Sequence, residues 1–243
     1  MRPTLFLSDL HLSPARPALA AAFHAFCRGP ARAAGEVYIL GDLFDAWLGD
    51  DQLREPFAAG IAASLHELAQ AGVRIGVMRG NRDFLLGDAF ARASGTTILP
   101  EQVVVDVGGT PTLILHGDEL CTGDTAYQRL RVLTHHRGVQ RTVLAMPYRV
   151  RSGMARALRH QSRRAATTKS ERIMDVAADA VVSMFRAHGV ARMVHGHTHR
   201  PARHQLDIDG HRCERWVLAD WYDRGSYLEA SAAGLTPREI TAS

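Results

Sequence analysis

The chain has 243 residues, 46% of them hydrophobic, and a formal net charge of +4 at pH 7, which is enough for one well-buried domain. No stretch approaches a transmembrane span, and the opening MRPTLFLSDLH has too short an apolar run for a secretory signal. Cys27, Cys121 and Cys213 are too scattered for a disulfide framework or a zinc knuckle, so the expected compartment is a reducing cytoplasm with any membrane contact peripheral. Residues 4–10 (TLFLSDL) read as a strand and 17–35 as a helix. Strand 36–43 (EVYILGDL), a helix over about 54–71, strand 73–81 (VRIGVMRGN) and a helix over about 84–94 follow. Residues 102–118 read as a hairpin turning at Gly108 and Gly109. A long helical region over about 124–188 comes next, then ARMVHGH (191–197) and strands near 203–208, 213–219 and 226–230. Short β-rich runs alternating with helices predict an α/β layered fold.

The helical region interrupts a strand series. It is therefore read as an insertion, or lid, over the strand ends of a single domain spanning 1–243, with Pro147 and Gly153 dividing it. Residues 125–170 hold eleven Lys or Arg and no Asp or Glu. Such a block implies an anionic partner, whether phosphate, nucleic acid or acidic lipid, although a solvated helical face has the same composition. Its apolar residues, Tyr127, Leu130, Leu133, Val143, Leu144, Met146 and Met154, fit either a groove for acyl chains or a helix-pair core.

Each predicted strand ends in polar side chains able to bind a metal: Asp9 and His11 in SDLH, Asp42 in GDLFD, Asn81 in GNRD, His116 in LHGD, and the histidines of VHGHTHR. One such residue alone is ordinarily a turn former or a helix cap. Five together at the carboxyl ends of strands, where open α/β sheets form their sites, predict one rim of ligands. Glycines precede Asp42, Asn81 and His197, where a backbone without Cβ can turn sharply. Nitrogen and oxygen donors without thiolate suit Mn²⁺, Fe²⁺, Mg²⁺ or Zn²⁺.

The ordered series D-x-H, G-D, G-N, H and G-H-x-H, running from Asp9 to His199, resembles the calcineurin-like metallophosphoesterase superfamily. The stretches LGDLFDAWLGDD, GNRDFLLG, HGDELCTGD and HGHTHRP resemble more closely its branch that hydrolyses UDP-2,3-diacylglucosamine in lipid A biosynthesis. The resemblance implies a four-layer α-β-β-α sandwich with a helical lid, and two divalent ions, Mn²⁺ by analogy. One ion would take Asp9, His11, Asp42 and His199, the other Asp42, Asn81, His116 and His197. His195 matches no motif position and is read as structural support. The implied reaction is attack of water on the α-phosphorus, giving UMP and 2,3-diacylglucosamine 1-phosphate.

Asp42, Asn81, Arg82, His116 and His197 would carry the chemistry. Asn81, Arg82, Asp124, Ser162, Ala166, Lys169 and His197 would meet the substrate, with Ala166 standing where some relatives have a polar residue. Many superfamily members have G-N-H where this chain has GNR. Arg82 cannot donate its proton, and a sugar phosphate leaves without an acid, since its second pKa is about 6. The implied setting is the cytoplasmic face of a Gram-negative inner membrane, bound peripherally to anionic lipid, with no nucleic acid and no obligate protein partner. A nuclease or another phosphodiesterase is the rival reading, weakened by an insertion with two tyrosines and no Phe or Trp before Phe185. A non-catalytic scaffold is opposed by the presence of all seven ligands.

Overall fold

A computed structural model describes residues 2–157, 175–222 and 224–240. Strands β1 (Thr4–Leu7), β2 (Glu36–Leu40), β3 (Arg74–Met78) and β4 (Thr97–Ile98) run parallel, with β10 (Ser226–Ser231) antiparallel beside β1 and β11 (Gly234–Glu239) antiparallel to β10 at the edge. The second sheet has the order β5 (Gln102–Val107), β6 (Thr110–Leu115), β7 (Arg192–His195), β9 (His211–Val217), β8 (Ala202–Ile208), with β6, β7 and β9 parallel. The predicted hairpin joins β5 to β6, and Gly108 and Gly109, at φ 62 and 83, supply the two positive angles of a two-residue turn.

Three apolar layers hold the fold. Helices α1 (Pro17–Arg28) and α2 (Pro56–Gln70) each start on a proline at the first turn, where a missing N–H costs nothing. Their faces, including Phe23 and Phe26 from α1 and Ile61, Leu65 and Leu68 from α2, cover one side of the first sheet with α3 (Asp88–Ser94). Between the sheets Phe6, Leu40 and Met78 meet Ile114, Val194 and Trp216. On the far side, Val181 and Phe185 of α7 (Ala178–His188) pack with Leu113, Leu115 and Met193. The order is helix, sheet, sheet, helix, and truncating a fully buried Phe6 to alanine would cost about 3–5 kcal/mol.

The region expected to be helical over about 124–188 has two environments. Helices α4 (Thr125–His135) and α5 (Arg137–Leu144) bury no residue, whereas α7 is part of the core. Pro147 precedes α6, a helix over 148–157, but Gly153 lies inside it and does not break it; the break between α4 and α5 comes at His136, which caps α5. Arg151, 5% exposed, fastens α6 to the body through the carbonyl of Leu48 and the carboxylate of Asp51. Leu130, Leu133, Leu144 and Met154 are exposed. The three cysteines are buried and no disulfide joins them, and no helix among the described residues is long and apolar enough to cross a membrane.

Candidate metal centre

The carboxyl ends of β1, β2, β3, β6 and β7 bring Asp9, His11, Asp42, Asn81, His116, His197 and His199 to one place. Donor atoms of Asp9, His11 and His199 lie within 4.8 Å of one another, as do those of Asp9, Asp42 and His116. Asn81 Oδ1 stands 3.2 Å from His116 Nε2 and 3.2 Å from His197 Nδ1. The two oxygens of Asp42 face different halves: Oδ2 is 3.8 Å from His11 Nδ1 and Oδ1 is 4.0 Å from His116 Nε2.

The backbone that presents these residues is unusual. Asp9, His11, Asp42, His197 and His199 all have left-handed φ, from 47 to 70. Each such residue other than glycine costs about 1–2 kcal/mol and persists only where its surroundings fix it. Here the loops fix one another. His11 N donates to Asp42 O at 2.9 Å, Trp221 N to Asp9 O at 3.1 Å, Gly196 N to His116 O at 2.9 Å, and His197 N to Asp9 Oδ2 at 2.8 Å.

The glycines before Asn81 and His197 therefore serve a purpose other than the sharp turn expected. Only Gly41, before Asp42, has a positive φ, 89. Gly80 and Gly196 make room: a Cβ on Gly80 would strike the carboxylate and amide of Asp42, and one on Gly196 would strike Ser8 and the Asp9 carboxylate. Two loops approach so closely that no side chain fits between them.

The donor set fits divalent cations. Asp9 Oδ1 and His11 Nδ1 are buried with no hydrogen-bond partner, an expensive arrangement for polar atoms without a cation between them. His116 Nδ1 donates to Leu40 O at 2.8 Å, and His199 Nδ1 lies 3.1 Å from Asp220 Oδ2, so each ring turns Nε2 toward the centre. Burial raises the Asp42 carboxyl well above its usual range, helped by Asp83 and Asp9. Burial opposes a charge on His116, but Asp42 and Asp9 outweigh it and raise its pKa to about 9. Burial lowers His197 to about 4 and His11 to about 4. The metal-free cluster thus holds protons that an ion would displace.

His195 is different. It is fully buried, donates from Nδ1 to Gly196 O at 2.9 Å and accepts at Nε2 from Arg215 Nη1 at 3.0 Å. Burial and the Arg215 charge push its pKa to about 3, so it is a neutral strut under the loop that carries His197 and His199. Arg82 gives its backbone N–H to Asp42 Oδ1 at 2.8 Å, and among the described residues its guanidinium has no ion pair. Asp124 caps α4, accepting from Tyr127 N at 3.1 Å. Ser162, Ala166 and Lys169 lie outside the described residues.

Asp83 and Asp220 had no role in the sequence reading, and Tyr127 entered it only as an apolar residue of the insertion. Asp83, fully buried, accepts from the amides of Gly80 (2.7 Å), Asp42 (3.3 Å) and Phe44 (3.3 Å), tying two ligand loops together. Asp220 holds His199, and Tyr127 stacks on His197 at 5.8 Å while its hydroxyl donates to Asp118 at 2.7 Å. Asp83 sits inside the GNRD stretch, but two of its partners, Asp42 and Phe44, are 41 and 39 residues away in sequence, which no local pattern reveals.

Comparison with known proteins agrees with this geometry. The model of the calcineurin-like phosphoesterase family matches residues 2–201. The chain is 47% identical over 235 residues to a UDP-2,3-diacylglucosamine hydrolase of Cellvibrio japonicus, covering 97% of this chain and 98% of that one. It is 47% identical to the protein of that name from Pseudomonas aeruginosa, covering 95% of each, and 48% identical to that from Serratia proteamaculans, covering 94% of this chain and 95% of the relative. With the family model matching most of its length and the ligand series in place at its strand ends, the chain belongs to the calcineurin-like phosphoesterase family.

Proposed function

We propose that the protein hydrolyses the pyrophosphate bond of UDP-2,3-diacylglucosamine in lipid A biosynthesis, giving UMP and 2,3-diacylglucosamine 1-phosphate. The observation that carries this is near-half identity, end to end, to hydrolases of that name, in a chain whose rim gathers all seven candidate ligands. Two divalent ions held there, Mn²⁺ in our proposal, would supply an acidified water as nucleophile and offset charge on the phosphoryl oxygens.

The chain's own groups do the rest. Asp42 reaches both halves of the centre and is the group to hold them together, with Asp9, His11 and His199 on one side and Asn81, His116 and His197 on the other. Arg82 offers a planar fork to the diphosphate and stays charged throughout, so it orients and neutralises rather than transferring a proton. The released sugar phosphate carries its own negative charge and needs no proton donor. Asp124, with Ser162, Ala166 and Lys169, would meet the lipid sugar.

The insertion suits a lipid substrate. Leu130, Leu133, Leu144 and Met154 stay exposed on helices that carry arginines and no acid, which favours acyl chains together with an anionic surface. The proposed setting is accordingly the cytoplasmic face of the inner membrane, held peripherally and without an obligate protein partner. The test is turnover of UDP-2,3-diacylglucosamine with added Mn²⁺, followed by detection of UMP and the acylated sugar phosphate. Cleavage of bis(p-nitrophenyl) phosphate or single-stranded DNA with the lipid nucleotide left intact would overturn the assignment.

A further inference from the structure

Arg82 and Asp124 are proposed for the diphosphate and the lipid sugar, which leaves the uridine without an assigned group. Beside the metal centre, Thr198 and Arg200, the residues on either side of His199, open into a cavity of about 230 Å³. Asp175, Pro201, Ala202, His204, Arg215 and Val217 complete its walls. We propose that this cavity is the subsite for the uracil base, an inference that rests on the substrate reading above.

The polar edge of uracil presents an acceptor, a donor and an acceptor in a row: O2, N3–H and O4. Its complement is a donor, an acceptor and a donor. In the proposed subsite Asp175 supplies the acceptor, and the guanidiniums of Arg200 and Arg215 supply the donors. Asp175 Oδ2 takes Arg200 Nη1 at 3.1 Å, and its Oδ1 accepts the Val176 amide at 2.8 Å, leaving lone pairs on a carboxylate with about four acceptor positions. Arg215 is 8% exposed, spends one Nη1 on the neutral His195, and leaves its Nε buried with no partner. Arg215 lines the cavity, and His195 takes only one of the guanidinium's five N–H donors, so an acceptor in the cavity has donors to meet, the sealed Nε not among them. Pro201 and Val217 give the planar ring an apolar wall.

The placement also suits the reaction. The cavity is built on the same loop that presents His197 and His199, so a base held there keeps its own phosphate beside the candidate ligands. Cytosine would be rejected, because its N3 is an acceptor facing Asp175 and its N4 amino group is a donor facing an arginine.

The experiment is calorimetry of UMP and CMP on the Mn²⁺-loaded protein and on Asp175→Asn, with turnover of UDP-2,3-diacylglucosamine measured alongside. The wild type is expected to bind UMP at least about tenfold more tightly than CMP. Asp175→Asn is expected to bring the two toward parity, since an amide can donate to the cytosine N3, while its Mn²⁺ stoichiometry stays unchanged. Arg215→Met is expected to weaken UMP; because Arg215 also supports His195, it is read only if its thermal midpoint shows it folded. Equal affinity for UMP and CMP in the wild type, or an undiminished uridylate preference in Asp175→Asn, would overturn the subsite. Turnover with no base preference would sink the subsite alone. Uridylate-selective binding without turnover would sink the substrate reading alone.

Discussion

Replacing His195 by alanine separates support from catalysis. The imidazole is fully buried between Gly196 O and Arg215 Nη1, at 2.9 and 3.0 Å. Its removal leaves the guanidinium without that partner, at a cost of about 1–3 kcal/mol, whereas Gly196 O keeps the Thr198 amide at 2.9 Å, so about 2 kcal/mol is the central value. For a chain of 243 residues each kcal/mol lowers Tm by about 2–4 °C, which predicts a drop of about 4–8 °C. The candidate ligands themselves are untouched. Below its midpoint, His195→Ala should therefore keep metal-dependent turnover, whereas His197→Ala and His199→Ala should lose it. Differential scanning fluorimetry followed by turnover at a temperature where all three variants are folded makes the comparison. Equal loss of turnover in all three, with His195→Ala still folded, would refute the division between strut and ligands.

A methyl group at Gly80 has nowhere to go but into the Asp42 carboxylate and amide. Gly80→Ala should cost about 1–3 kcal/mol in overpacking and weaken Mn²⁺ binding seen by calorimetry, and wild-type affinity would contradict the close approach of the two loops. Chelation should lower Tm: ions at a hundred times their Kd add about 2.7 kcal/mol to folding, so about 5–11 °C would be lost, and an unchanged midpoint would argue against a cation between Asp9 and His11. The cluster's pH dependence has a fixed sign. Burial raises Asp42, and the carboxylates of Asp42 and Asp9 raise His116 to about 9 against the effect of burial, so the metal-free site holds protons at neutral pH that ions must expel. Metal affinity should rise from pH 6 to 9 with proton release detectable as buffer-dependent heat, and a pH-independent affinity would contradict this.

The rim was legible because each candidate ligand directly follows a short apolar strand, and parallel strands put such ends together whatever the details of packing. What governs those ligands was not legible. The left-handed φ of five of them arises from hydrogen bonds between loops distant in sequence, and asparagine, aspartate and histidine are the non-glycine residues that tolerate it best. The helix expected from about 84 starts at Asp88, because Asp50 accepts from the amides of Gly87, Ala89 and Phe90 and fixes the first turn from outside. Strand β11 escaped notice because GLTPRE is polar and contains Pro237, acceptable only because the strand lies at a sheet edge. The insertion was visible as a basic, acid-free run, but its last helix, α7, belongs to the core through Val181 and Phe185. Both a lid helix and a core helix repeat their apolar residues at the same spacing.

The central claim is water attack on the α-phosphorus of UDP-2,3-diacylglucosamine. Turnover in ¹⁸O-water with Mn²⁺, followed by mass spectrometry of both products, tests it most directly. The account predicts the label in UMP; label in 2,3-diacylglucosamine 1-phosphate would place the attack on the other phosphorus and contradict it.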